Sequence, residues 1–205
     1  MRPLMAAPMS LRPDEVLRTE GTQPMPGISN SLQQQALQHT DHSTQRERII
    51  EHVFVGELLR RLWVLGIADV ELLRAEVDAG GYDLVLCHKA IVRHVQLKSV
   101  IEGGRAANVT VNLKLAEKAS GCIVWLVVGH DLGLRTFRWF GGRPGEPLPD
   151  VSNHQTARHA RANSKGVKQA RLGHRVLHAR DFQALKSLDE LIERLFGEIH
   201  ILPTT

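Results

Sequence analysis

The chain has 205 residues and a formal net charge of +4, with 26 Lys and Arg against 22 Asp and Glu. This length and average composition are typical of one globular domain with terminal extensions, and they exclude a fibrous protein. The two cysteines lie inside apolar runs, which excludes a disulfide framework and a cysteine-rich zinc site, so we expect a cytoplasmic protein. Because no apolar run reaches the roughly 18 residues of a membrane span, we expect no membrane partner.

Helical and strand-like patterns organise the first two thirds of the chain. Residues 1–45 are rich in Met, Pro, Ser, Gln and Gly without a sustained period, and we predict a disordered arm. A helix is predicted from Arg46 to a stop at Gly66. Three strands, a short crossover helix and a continuous apolar strand are predicted at 69–77, 82–87, 92–100, 112–119 and 121–128. This α-β-β-β-α-β order predicts an α/β fold, with a central mixed sheet flanked by helices.

The last third of the chain is predicted to form a basic C-terminal extension over 150–197. A strand at 134–140 and a loop at 141–149 precede it. Within the extension we predict a helical stretch, a short strand and a closing amphipathic helix, at 156–164, 175–178 and 182–196. We therefore expect one domain over 46–197, with a core at 46–129 and a tail at 198–205.

Two of the predicted strands carry polar residues where a buried strand should have none. Asp83 interrupts one strand, and Gln96 and Lys98 interrupt the next. Such side chains cost several kcal/mol when buried without a partner. If the chain turns back symmetrically around Lys89 and Ala90, Asp83 lies opposite Gln96 and Lys98 is its diagonal neighbour, about 7–8 Å away. A carboxylate, an amide and an amine would then converge.

This convergence predicts a site for a hard divalent cation, Mg²⁺ or alternatively Mn²⁺. Asp83 would be the charged ligand, and the side-chain carbonyl of Gln96 or a nearby backbone carbonyl would be a neutral one. Lys98 would orient or deprotonate the attacking water, or stabilise the charge that develops on a phosphate. The predicted reaction is hydrolysis of a phosphodiester.

A second acidic ligand is expected from the first helix. Glu57 projects near its apolar face, and Arg61 one turn later offers it a partner. Glu51 and Glu76 are the weaker alternatives. With Glu57 as the second carboxylate, the predicted metal ligands are Asp83, Gln96 and Glu57, and the predicted catalytic residues are these three and Lys98.

The pattern of Glu57, Asp83 and the triplet Gln96-Leu97-Lys98 resembles the PD-(D/E)XK nuclease superfamily. The likeness is to the variant with glutamine before the lysine, as in Mrr-like restriction endonucleases, and it covers 46–128. The resemblance implies a restriction-endonuclease-like core and a Mg²⁺-dependent nuclease whose motif residues are Asp83, Gln96 and Lys98. The sequence departs from the pattern in two places, since no proline precedes Asp83 and Gln96 removes one negative charge from the site.

The segment 151–180 holds seven Lys and Arg but no Asp or Glu, so a local positive surface is expected there. Such a surface suits a phosphate backbone, and we expect nucleic acid, double-stranded DNA above all, as the partner. The residues predicted to bind nucleic acid are Arg158, Arg161, Lys165, Lys168 and Arg171. Cutting both strands of a duplex would suit a homodimer, and a larger defence or repair complex is the other assembly expected.

The sequence thus predicts a metal-dependent DNA endonuclease of a restriction, defence or repair type. Two alternatives stay open, namely a catalytically inactive, nuclease-like DNA-binding module of a larger assembly and an RNA-directed nuclease. Structural explanations of the same residues also stay open: Asp83 would cap the preceding glycine turn, and Lys98 would guard an edge strand. The eleven histidines show no metal-binding spacing.

Overall fold

A computed structural model of the protein describes residues 42–77, 79–162, 164 and 166–198. The arm predicted over 1–45 lies outside these residues except for its last four, and the helix α1, Ser43–Val64, already begins there. The tail predicted over 198–205 lies outside them except for Glu198. Helix α1 ends just before Gly66, whose φ of +76° is the left-handed conformation that glycine adopts most readily.

Two sheets are present in the described residues. The strands are β1 (Val70–Arg74), β2 (Leu84–His88), β3 (Ile91–Ile101), β4 (Asn108–Asn112), β5 (Gly121–Val128), β6 (Leu134–Gly141), β7 (Thr156–Arg158), β8 (Ala170–His178) and β9 (Gln183–Leu185). One sheet has six strands in the order β1-β2-β3-β5-β6-β9, and the other has three in the order β4-β8-β7. All neighbours are antiparallel except β3 and β5, which run parallel. The predicted α/β fold with a mixed sheet is confirmed at this level.

The six-stranded sheet is covered on both faces. Helix α1 and a second helix, α2 (Leu188–Phe196), share one apolar core with alternate residues of the sheet. The three-stranded sheet shares a second core with the residues that point the other way, among them Ile123 and Trp125 of β5. Strand β5 is therefore apolar on both faces, which explains its unbroken apolar sequence.

Three predicted elements differ from the structure. The crossover from β3 to β5 contains strand β4 and a short 3₁₀ helix, Leu113–Glu117, in place of the α-helix predicted at 112–119. The helical stretch predicted at 156–164 is wrong at its start, where β7 pairs with β8. The closing helix predicted from residue 182 begins only at Leu188, after strand β9, because the Ser187 hydroxyl caps it by accepting from the Glu190 N–H.

In the part of the chain that the structure describes, no helix is both long and apolar enough to cross a membrane.

Candidate functional site

The β2–β3 hairpin pairs in the register predicted from the sequence. Lys89 and Ala90 form its two-residue turn, and the ladder ends where Leu84 pairs with Val95, so the same register continued by one residue would put Asp83 opposite Gln96. Hydrogen bonds fix the position: the Asp83 N–H donates to the Val95 carbonyl at 2.9 Å, and its carbonyl accepts from the Ala75 N–H at 3.0 Å. The predicted register is confirmed from Leu84 to His88, whereas the Asp83 N–H bonds to Val95 and not to Gln96.

The Asp83 carboxylate is oriented by the backbone of β3. Its Oδ2 accepts a hydrogen bond from the Leu97 N–H at 2.6 Å. This contact ties the side chain to the strand that carries Gln96 and Lys98. If Asp83 only capped the preceding glycine turn, its carboxylate would not need this hydrogen bond to the neighbouring strand. Lys98 lies opposite Trp125 of β5, but β2 pairs with β3 only between Ile91 and Val95. Lys98 therefore has a neighbouring strand on one side in the described residues, and its role as a guard of a strand edge stays an alternative.

Asp83 and Lys98 line one cavity of about 510 Å³. The cavity opens at the end of the sheet, where the first turns of α1 meet β3 and Val109 of β4. Two carboxylates of α1, Glu47 and Glu51, line it as well, together with Arg48. Acidic and basic side chains from three separate parts of the sequence thus line the same cavity.

Glu51 is the more enclosed of the acidic residues that α1 contributes. Its side chain is only 16 % exposed, and its Oε1 lies 3.2 Å from the Arg74 Nε on β1. The Oε2 lies 3.8 Å from an Arg48 Nη. Arg74 is itself braced by a hydrogen bond of 2.9 Å from its Nη2 to the His52 Nδ1. The network fixes the Glu51 carboxylate at the cavity wall.

Glu57, the predicted second metal ligand, is not among the cavity-lining residues. Its side chain is 45 % exposed and forms an ion pair of 2.8 Å with Arg60. The predicted partner, Arg61, pairs instead with Asp189 of α2, through two hydrogen bonds of 2.5 and 2.6 Å. The expectation that Glu57 points at the site is therefore wrong. Glu51, six residues earlier, and Glu76, the two alternatives from the sequence, do line the cavity.

Gln96, a predicted metal ligand, is buried in the sheet and is not among the cavity-lining residues. Its side chain is 5 % exposed, and its Oε1 is buried without a hydrogen-bond partner among the described residues. A buried carbonyl oxygen without a donor is costly. No group of three or more His, Cys, Asp or Glu side chains in the described part of the chain is arranged to hold a metal ion.

Tyr82 is a cavity residue that the sequence reasoning missed. It lines the cavity beside Asp83, its ring meets the His94 ring edge-on at 5.0 Å, and the Lys118 Nζ lies 5.7 Å from the ring centre. The His94 Nδ1–H donates to the Ala119 carbonyl at 2.8 Å. The sequence signal that could have indicated Tyr82 is its position, directly after the Gly-Gly turn and directly before Asp83.

The predicted nucleic-acid-binding residues lie on or beside the β7–β8 hairpin. Arg158 lies on β7 and Arg161 follows it, both exposed, and Lys168 is exposed before β8. Arg171 is half-buried, and its Nη2 donates to the His174 Nε2 at 2.7 Å. Lys165 lies outside the described residues. That these residues bind nucleic acid stays a prediction.

Comparison with models of known protein families gives no match, and no curated protein matches the chain in sequence. Its function must be inferred from its own residues and their arrangement.

Proposed function

We propose that this protein is a Mg²⁺-dependent nuclease that hydrolyses phosphodiester bonds in double-stranded DNA. The observation that carries this proposal is the hydrogen bond from the Leu97 N–H, between Gln96 and Lys98 in sequence, to the Asp83 Oδ2, together with the cavity that Asp83, Lys98 and Glu51 line. Two carboxylates, a buried amide oxygen and an ammonium group are the side chains that this chemistry requires.

The fold supports the resemblance to the PD-(D/E)XK superfamily in its order of elements. Helix α1, the antiparallel β1–β3 meander and a crossover to β5, parallel to β3, follow one another along the chain. The short 3₁₀ helix and β4 in the crossover are a departure from the implied core. A restriction-endonuclease-like core is therefore part of the proposal.

The residues fit a hard divalent cation, which prefers oxygen ligands and takes one or two protein carboxylates. Asp83 and Glu51 would supply the carboxylates, and the unpaired Oε1 of Gln96 would supply a neutral oxygen. When bound, Mg²⁺ would supply the positive charge that polarises a phosphate oxygen. Mn²⁺ prefers the same oxygen ligands and would bind in its place.

The remaining chemistry belongs to the side chains of the chain itself. The Leu97 N–H holds the Asp83 carboxylate in one orientation, and Arg74 does the same for Glu51. The Lys98 ammonium group would donate hydrogen bonds to the scissile phosphate, whose negative charge grows during attack. The exposed cations of the 151–180 segment would bind the flanking phosphates.

Cleavage of supercoiled plasmid by the purified protein with Mg²⁺, with Mn²⁺ and with EDTA tests the proposal. We expect metal-dependent nicking that falls by at least about a hundredfold in Asp83→Asn and in Lys98→Ala, because each removes a group that acts on the reacting phosphate. Wild-type cleavage by either variant would contradict the assignment. A labelled RNA duplex of the same sequence, run in parallel, separates a DNA nuclease from an RNA-directed one.

A matched pair of variants tests the role of α1. Glu51→Gln should lower cleavage strongly, whereas Glu57→Gln should leave it unchanged, since only Glu51 lines the cavity. The two changes are chemically identical and lie on the same helix. Equal effects, or a loss in Glu57→Gln alone, would restore the sequence-based assignment.

A second candidate is a DNA-binding module without turnover. Its supporting observation is that Arg74 and Arg48 both contact the Glu51 carboxylate and compete with a cation for it. Calorimetric titration of Mg²⁺ separates the two functions, because a nuclease site should bind the ion in a way that Asp83→Asn weakens. DNA binding without Mg²⁺ binding or cleavage would favour the module.

A further inference from the structure

The β7–β8 hairpin contains a large bulge. Thr156 of β7 pairs with Arg175, but the next residue, Ala157, pairs with Arg171, so residues 172–174 of β8 have no partner on β7. Such bulges aim particular side chains outward at a chosen point. At this point the side chain is that of Leu172, which is 77 % exposed.

Arg175 holds the bulge in shape. Its Nη1 donates to the carbonyls of Leu172 and His174, at 2.9 and 3.1 Å, and its Nε donates to the Ser152 carbonyl at 3.2 Å. One guanidinium therefore fixes both ends of the bulge and anchors it to the preceding loop. A large apolar side chain in water would gain from collapse onto the surface, but this anchoring holds the backbone beneath it in a projecting conformation.

The surroundings of Leu172 are cationic. Arg158, Arg161 and Lys168 are exposed on the same hairpin, and no Asp or Glu occurs in the sequence from 151 to 180. Positive side chains bind phosphates, but the apolar side chain of Leu172 has neither a charge nor a hydrogen-bond donor with which to bind one. An apolar group surrounded by cations fits duplex DNA, where the backbone binds the cations and the base stack accepts an apolar wedge.

The bulge also borders a cleft. Arg171, Leu172 and His174 line this cleft with Lys114, and Glu117 adds a carboxylate to its lining. Asn112 lines it as well and packs against Gly81, where an added Cβ would lie only 2.8 Å from the Asn112 Cβ. The next residue along the chain, Tyr82, lines the cavity that contains Asp83. Asn112 therefore connects the lining of the cleft with the segment that contributes Tyr82 to the proposed active site.

From these observations we infer that Leu172 is a wedge that inserts between base pairs of duplex DNA, while Arg171 and the exposed cations of the hairpin bind the adjacent phosphates. Insertion unstacks a base step and bends the duplex, so it favours flexible steps such as TA. This inference rests on the proposed function, and it concerns the way in which the protein would bind its DNA substrate.

The test uses a short duplex with TA steps in which 2-aminopurine replaces single adenines, bound in EDTA so that no cleavage occurs. The fluorescence of 2-aminopurine should rise when the wild-type protein unstacks a step. Leu172→Ala should lose this rise and bind about tenfold more weakly, because it removes three apolar carbons from the interface. Leu172→Met, which keeps an apolar tip of similar length, should restore most of both.

Leu73→Ala is the matched control, since Leu73 is an exposed leucine on β1, outside the hairpin. It should change neither fluorescence nor affinity. Wild-type binding without a rise in fluorescence, and with equal affinity in Leu172→Ala, would overturn the wedge while leaving DNA binding intact. No DNA binding by the wild type would overturn the wedge and the proposed substrate together. Sedimentation with phosphatidylserine vesicles that depends on Leu172, without DNA unstacking, would assign the bulge to a lipid surface.

Discussion

Replacing the buried Arg93 of β3 by methionine should destabilise the protein severely. The Arg93 side chain is completely buried, 0 % exposed, and donates four hydrogen bonds. The acceptors are the Leu195 carbonyl at 2.8 Å, the Arg194 carbonyl at 2.7 Å, the Ser120 hydroxyl at 2.9 Å and the Gly142 carbonyl at 3.0 Å. Two of these carbonyls belong to the last turn of α2, where no intrahelical donor remains.

The expected loss in the free energy of unfolding follows from the hydrogen-bond acceptors that Arg93→Met leaves without a donor. Burial lowers the pKa of Arg93, yet a guanidinium still stays protonated in a protein. Exchange of a buried ion pair for apolar side chains is often neutral, but only when both partners are removed. Here the acceptors are mostly backbone carbonyls, which no side-chain change removes. We therefore expect a loss of about 3–5 kcal/mol in the free energy of unfolding.

Equilibrium unfolding in urea, followed by far-UV circular dichroism, measures this loss. For a domain of this size it corresponds to a fall of roughly 6–20 °C in Tm. Arg60→Met is the control, because Arg60 forms an exposed ion pair that should be worth less than about 1 kcal/mol. If Arg93→Met costs no more than Arg60→Met, the reasoning from buried acceptors is refuted.

Two further predictions concern titratable groups. Arg61 lowers the pKa of Asp189 through their hydrogen bonds. The pair should therefore stabilise the protein at pH values above the pKa of the unfolded carboxyl, about 4, and this stabilisation should be lost as the pH falls through the lower, folded pKa. The Tm difference between wild type and Asp189→Asn should therefore be present at pH 7 and shrink at low pH; a constant difference would contradict it. Burial raises the pKa of Cys122 to about 12, so this thiol should react with Ellman's reagent at pH 8 only after unfolding, as the Cys87→Ser variant would show. Rapid reaction of Cys122 in the native variant would contradict that expectation.

The hairpin that carries the site could be predicted from sequence because its polar residues and its turn give one consistent register. A slip of one residue would have split Asp83 from Gln96 across two faces, so only one pairing united them. Strand β5 was equally clear, with bounds that match its apolar run. Local patterns of this kind depend on neighbours in the sequence and on little else.

The choice of acidic residue on α1 could not be predicted in the same way. A helical wheel orders side chains around the axis, but it does not show which end of the helix lies at the cavity. Glu51 and Glu57 are separated by six residues, or about 9 Å along the axis. Only the packing of α1 on the sheet shows that the cavity lies at its N-terminal half, which selects Glu51.

The helical stretch predicted at 156–164 in the C-terminal region was wrong for a related reason. Ala, Arg and Gln around 156–170 favour a helix by intrinsic propensity. Strands β7 and β8 form there instead because β4 supplies an antiparallel partner and Leu177 enters the second core. The tertiary partner decides the structure, and the paired residues of β4 and β8 lie 62 to 70 positions apart in the chain.

The hydrogen bond between Arg93 and Leu195 spans 102 residues of sequence, and this has a consequence for the order of folding. The β1–β3 meander is local and can form early, but on its own it carries an arginine at a position destined for the interior. Until α2 is present to receive that guanidinium, β3 must keep it in water or bury it at a high cost. Closing such a long loop is slow compared with forming a hairpin. The strand with the candidate catalytic residues can thus reach its final, enclosed state only when the last helix docks.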